Sequence, residues 1–238
     1  MEWSLSKILP STFDPSCGIL ASFMMEFRED HRGAARCLTY FYAGVSFVIT
    51  VVSGLPRSGT SLMMQMLVAG GIPALTDGLR VADANNPKGY FEWEAAKALK
   101  QNAQSIAAAE GKVVKVISAL LPYLPGPFEY RIIFMMRPLE EVIASQNKML
   151  QRLGKEVPPT PRATVMAAFE KHLRETEAWL SRQTNMTVLR IEHSAVIADA
   201  RVEVAKVVEF LGRPLDVEKM AHQVEDSLYR ERSPAVAR

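Results

Sequence analysis

Hydrophobic and polar positions along this chain switch repeatedly between strand-like and helix-like patterns. Residues 46–52 (SFVITVV) form a β-branched apolar run, the pattern of a strand buried on both faces. Residues 60–69 follow with the apolar spacing of a Met/Leu-rich helix, and Gly70-Gly71 stop it. The stretch 72–89 is polar and rich in turn residues, which predicts a surface loop, and 92–110 is strongly helical by propensity. Strands are expected at 112–117, 130–136 and 187–191. Pro138 suits the first turn of a helix reaching about Arg152, and 154–161 (GKEVPPTP) a flexible connection. Helices are expected over 163–182 and over 201–211, the latter closed by Gly212. Strands alternating with helices predict an α/β fold, a doubly wound and mostly parallel sheet flanked by helices. Any ligand belongs at the C-terminal edge of those strands. The first 40 or so residues lack this alternation and the order of a signal peptide. Residues 1–44 are therefore expected to be a poorly ordered extension or a start-site artefact, and 45–238 one α/β domain.

Composition narrows the function. A net charge of +2 gives no bulk affinity for polyanions, so nucleic acid is not an expected partner and any basic site is local. Cys17 and Cys37 form neither a metal-ligand spacing nor a disulfide framework, which fits a reducing, cytoplasmic setting. The four histidines, His31, His172, His193 and His222, are scattered, so no metal is expected. The apolar stretch 38–52 falls short of the ~20 residues of a spanning helix, so no stable membrane insertion is expected. Oligomeric state leaves no trace in the pattern.

Chemistry concentrates where the first strong strand meets its helix. Gly54-Leu55-Pro56-Arg57-Ser58-Gly59-Thr60-Ser61 has the outline of a phosphate-binding loop, in which backbone N–H groups close around an anion at a helix N-terminus. A nucleoside-triphosphate loop ends in Gly-Lys-[Ser/Thr]. Here Thr60 and Ser61 follow Gly59, and the cation has moved into the loop as Arg57. A second signal lies at the same sheet edge. The strand 130–136 delivers Arg137 at its end, and Ser145 follows eight positions later, two helical turns on. An arginine fork and a hydroxyl can then share one phosphate.

Together these segments resemble the sulfotransferase superfamily, over roughly 46–214. The resemblance implies a P-loop-like fold and a co-substrate, 3′-phosphoadenosine-5′-phosphosulfate (PAPS). Pro56, Arg57, Ser58, Gly59, Thr60 and Ser61 match the family's 5′-phosphosulfate loop, and Arg137 with Ser145 its 3′-phosphate pair. Asn86-Pro87-Lys88-Gly89-Tyr90-Phe91-Glu92 is similar to a segment of bacterial members, and 189–212 to the family's late strand-loop-helix. For Arg230 and Arg232 the resemblance implies further 3′-phosphate contacts, as a basic C-terminal segment makes in relatives, and a solvated charged tail explains them almost as well. The acceptor implied is a small molecule, carbohydrate or peptide.

Two departures from the family pattern matter. Lys115 stands in the family's lysine strand, but Val116, Ile117 and Ser118 follow where cytosolic members carry a catalytic histidine. The expected base is a carboxylate, Asp77 or Glu92, with Glu94 beside them and His193 as the next choice. Charge compensation at a helix start explains Glu92 and Glu94 equally well, and a turn before Gly78 explains Asp77. Leu62 stands where the family has an indole, so adenine must stack elsewhere. Arg57 and Lys115 are expected to neutralise charge on the leaving phosphate. Two other classes fit less of the pattern: a P-loop small-molecule kinase, which lacks its Gly-Lys-[Ser/Thr], and a catalytically silent nucleotide-binding scaffold. The twelve methionines are expected to pack the core.

Overall fold

A computed structural model describes residues 25–29, 35–39, 48–78, 89–157 and 159–224. The chain divides into two compact units, Met1–Val45 and Ser46–Arg238. In the first, β1 (Met25–Glu29) and β2 (Ala35–Thr39) form an antiparallel pair with Phe27 opposite Cys37. The sequence pattern does not predict these two strands.

The second unit is built on β3 (Val48–Gly54), β4 (Val113–Lys115), β5 (Glu129–Met136) and β6 (Met186–Glu192). All four are parallel, in the order β4-β3-β5-β6. β3 pairs on both sides and is buried almost throughout, which is why its sequence is a continuous apolar run. Alternate residues feed two cores. Ile49, Val51, Ile132 and Phe134 join one, with Leu180 of α4 (Arg162–Leu180). Val52, Ile133 and Met135 join the other, with Met63, Met64 and Met66 of α1 (Thr60–Ala69). Those three helix methionines are fully buried packing residues, as their spacing predicts.

Three expectations need correction. The helix over 92–110 is broken into α2 (Glu94–Lys97) and a 3₁₀ turn, Ala103–Ala109. Seating Leu99, Ile106 and Ala109 in the same core bends the chain at Asn102 (φ −141°, ψ 76°), and that packing outweighs the small per-residue preference of alanine for helix. The stretch after α1 is not wholly a surface loop. Ile72 is buried, and Val113 of β4 donates to the Pro73 carbonyl while Leu75 donates to that of Val113. This stretch borders β4 because a three-residue strand needs pairing on its outer side. Between β6 and the later helix there is not just a loop: α5 (His193–Ala198) precedes α6 (Ala200–Leu211), capped by Asp199 and ended by a left-handed Gly212, and α7 (Val217–Ala221) follows. After β5, α3 (Leu139–Arg152) starts directly behind Pro138. Asn86, Pro87, Lys88, Arg230 and Arg232 lie outside the described residues.

Candidate active site

β3 ends at Gly54 and α1 begins at Thr60, so the loop between them sits at the C-terminal edge of the sheet. Gly54 has φ +143°, and a Cβ there would come within 2.7 Å of the Met135 carbonyl; no other residue fits. α1 carries neither a side-chain cap nor an acidic residue in its first turn, so neither offsets the positive end of the helix dipole. Ser58 Oγ is buried beside Gly54 and makes no hydrogen bond among the described residues, while its N–H donates to the Leu55 carbonyl.

Arg57 is held in the left-handed region, φ +72°, which costs an arginine roughly 1–3 kcal/mol. Two contacts hold it there. Its Nε donates to Ser145 Oγ at 3.0 Å, and its carbonyl accepts from Arg137 Nη1 at 3.1 Å. The two sequence signals are therefore one structure: the strand-end arginine and the helix serine both bond to the loop cation. Sequence reasoning missed a fourth member, Glu141. Its buried carboxylate accepts from Arg137 Nε at 2.9 Å. The i, i+4 spacing from Arg137 was the available signal.

His193, also undervalued by the sequence, opens α5 and is buried under the loop. A Cβ on Gly59 would come within 2.5 Å of its Cδ2. Burial, reinforced by the Arg137 charge and partly countered by Glu141, pushes this imidazole down to about 4.

A cavity of about 350 Å³ opens beside the loop. Pro56, Arg57, Thr60 and Ser61 of the loop and first helical turn line it, with Tyr90, Glu92, Trp93 and Lys97, and with Lys115, Ile117, Leu120 and Met149. Arg137 and Ser145 do not line it. Lys115 Nζ donates to the Tyr90 carbonyl and lies 4.0 Å from Glu92 Oε1, while Glu92 Oε2 lies 2.9 Å from Lys97 Nζ. Hydrogen bonds to Glu94 and Glu92 raise the Lys97 ammonium above its ordinary range. The elbow that delivers Glu92 is Phe91, a second non-glycine residue with positive φ, at +51°.

The three carboxylates from the sequence thus separate. Glu92 lines the cavity; Asp77 does not, being exposed, with its carboxylate accepting from the Glu94 N–H at the start of α2. Glu94 pairs with Lys97 and is itself half exposed. A larger, mostly apolar hollow of about 510 Å³ lies under α4, between Phe134, Leu173 and Arg190, and holds none of these residues. Among the described residues no group of three His, Cys, Asp or Glu is placed to hold a metal ion, and no helix is long and apolar enough to cross a membrane.

A parallel sheet whose central strand feeds a glycine-flanked anion loop defines a P-loop-like α/β fold. A family model described as the sulfotransferase domain matches residues 49–233, so the chain belongs to the sulfotransferase family. Among solved structures it is similar to the sulfotransferase domain of the Synechococcus PCC 7002 olefin synthase, at 16% identity over 79% of this chain and 82% of that one, with a TM-score of 0.50. It is also similar to the sulfotransferase STF1 from Mycobacterium tuberculosis, at 15% identity over 75% and 71% of the two chains, with a TM-score of 0.49. No curated protein sequence matches it.

Proposed function

We propose that this chain transfers a sulfuryl group from PAPS to an acceptor hydroxyl or amine on a small molecule, carbohydrate or peptide. The observation that carries this is the single network joining Arg57, Ser145 and Arg137, whose Arg57 also lines the cavity together with Lys115 and Glu92. The residues present suit the co-substrate: an uncapped helix N-terminus for the 5′-phosphosulfate, and Arg137 with Ser145 for the 3′-phosphate. The buried, unbonded hydroxyl of Ser58 leaves the loop one more donor. When bound, PAPS supplies an activated sulfuryl group, whose bond to the phosphate oxygen breaks as the acceptor's bond to sulfur forms. The chain's own groups do the rest. Arg57 and Lys115 neutralise negative charge building on the departing 5′-phosphate, and the loop amides with the Thr60 and Ser61 hydroxyls hold that phosphate still. Glu92 takes the proton from the acceptor as its oxygen or nitrogen attacks. Asp77, outside the cavity, serves α2 instead. The reducing, cytoplasmic setting suggested by cysteine usage belongs to the same reading.

Calorimetric titration tests it. Charge-assisted hydrogen bonds are worth ~1.5–3 kcal/mol each, so adenosine 3′,5′-bisphosphate should bind more tightly than 5′-AMP by that order, without Mg²⁺. Arg137→Ala should remove most of the difference. Equal affinity of the native protein for the two nucleotides overturns the reading, and Mg²⁺-dependent binding of ATP instead would indicate a kinase.

A further inference from the structure

We propose that His193 is a proton-accepting member of the 3′-phosphate site: neutral in the ligand-free protein, it takes up one proton when the phosphate dianion of adenosine 3′,5′-bisphosphate lodges beside Arg137. This rests on the nucleotide reading above and goes beyond it, since that reading gives His193 no part in binding.

The geometry is a buried cluster. His193 sits at the end of β6, packed so closely on Gly59 that a Cβ there would lie 2.5 Å from its ring. The charges acting on it are Arg137, at the end of β5, and Glu141 of α3, bonded to each other at 2.9 Å. The Arg57 carbonyl of the loop accepts from Arg137. α5 contributes no other titratable group, α1 has no acidic residue in its first turn, and Glu192, the preceding residue, is exposed. Arg137 and Glu141 balance each other, so the charges acting on His193 sum to zero. A protonated imidazole then adds an unbalanced buried positive charge, which the ligand-free site disfavours; its value of about 4 agrees. A phosphate dianion beside Arg137 makes the balance strongly negative. Proton uptake by His193 offsets part of that charge, which Arg137, already charged, cannot do.

The test reads the proton rather than turnover. With ¹⁵N-labelled histidine, the native protein at about pH 6.5 should show the His193 ring nitrogens shift from the neutral to the imidazolium pattern on saturation with adenosine 3′,5′-bisphosphate. Saturation with 5′-AMP should leave them neutral. In calorimetry at the same pH, in two buffers of different ionisation enthalpy, the native protein should take up about half a proton or more per nucleotide beyond His193→Gln. The comparison cancels protons released by the nucleotide itself. Tight binding with His193 still neutral overturns this proposal and leaves the sulfotransferase reading standing, and equal protonation by 5′-AMP overturns the assignment to the 3′-phosphate. Failure of the bisphosphate to bind overturns both. Should His193→Gln not fold, the resonances of the native protein decide alone.

Discussion

Glu92 lies with one carboxylate oxygen 2.9 Å from Lys97 and the other 4.0 Å from Lys115, inside the cavity that the anion loop walls. Asp77 instead receives the first N–H of α2. Their substitutions should therefore fail in different ways. Glu92→Gln keeps the shape but cannot take a proton, so turnover should fall roughly 10²–10⁴-fold with nucleotide affinity little changed. Asp77→Ala should keep near-native turnover and lose about 0.5–2 kcal/mol of stability with its cap. Turnover with labelled PAPS, alongside urea denaturation, separates them, and the reverse pattern would make Asp77 the base. At this scale the sequence was legible where short motifs mark residues that the fold brings together, as with Arg57, Arg137 and Ser145. It was ambiguous for carboxylates, because Asp77 and Glu92 look alike until the fold places Glu92 in the cavity and leaves Asp77 exposed. His193 could be read only as a residue following a strand, since its neighbour Gly59 lies far away along the chain.

Between β3 and α1 the element itself depends on glycine. Gly59 and Gly71 have almost the same φ, +102° and +107°, at opposite ends of α1. An alanine at either position pays the left-handed penalty, on the order of 1 kcal/mol. Only at Gly59 does the new methyl also meet a buried ring, 2.5 Å from His193 Cδ2, while at Gly71 nothing lies within 4 Å. Gly59→Ala should thus lower the urea midpoint clearly more than Gly71→Ala, and it alone should weaken binding of adenosine 3′,5′-bisphosphate. Equal losses would mean that the loop moves freely over His193. The same contrast explains what could be read at the level of elements. β3, its loop and α1 follow one another with local patterns that agree, so their bounds fall close to expectation. The stretch 92–110 has strong helical preference but must place Ala96, Leu99, Ile106 and Ala109 against one sheet face, a tertiary demand invisible to propensity. The pairing of the Pro73–Leu75 stretch with β4 is likewise set by a distant edge.

Across the whole molecule, His193 ties stability to pH. In the unfolded chain a histidine titrates near 6.5, whereas in the folded protein burial lowers His193 to about 4. Between those values the unfolded chain binds a proton that the folded protein refuses. Stability is therefore fully present above about pH 6.5 and falls as the pH drops towards 4, by an amount on the order of 3 kcal/mol from this group. Asp216, whose carboxyl is held low by its hydrogen bond from Lys219, pushes in the same direction, so the total acid sensitivity is not a measure of His193 alone. The comparison that isolates it is His193→Gln: urea unfolding of both proteins at about pH 7 and pH 5 should show the native protein losing more stability than the variant. Saturating adenosine 3′,5′-bisphosphate should narrow that gap, because a site that welcomes the proton no longer refuses it. Parallel losses in the two proteins, with and without nucleotide, would mean that His193 titrates in the folded state much as it does in the unfolded one, and that the loop rests on an ordinary imidazole.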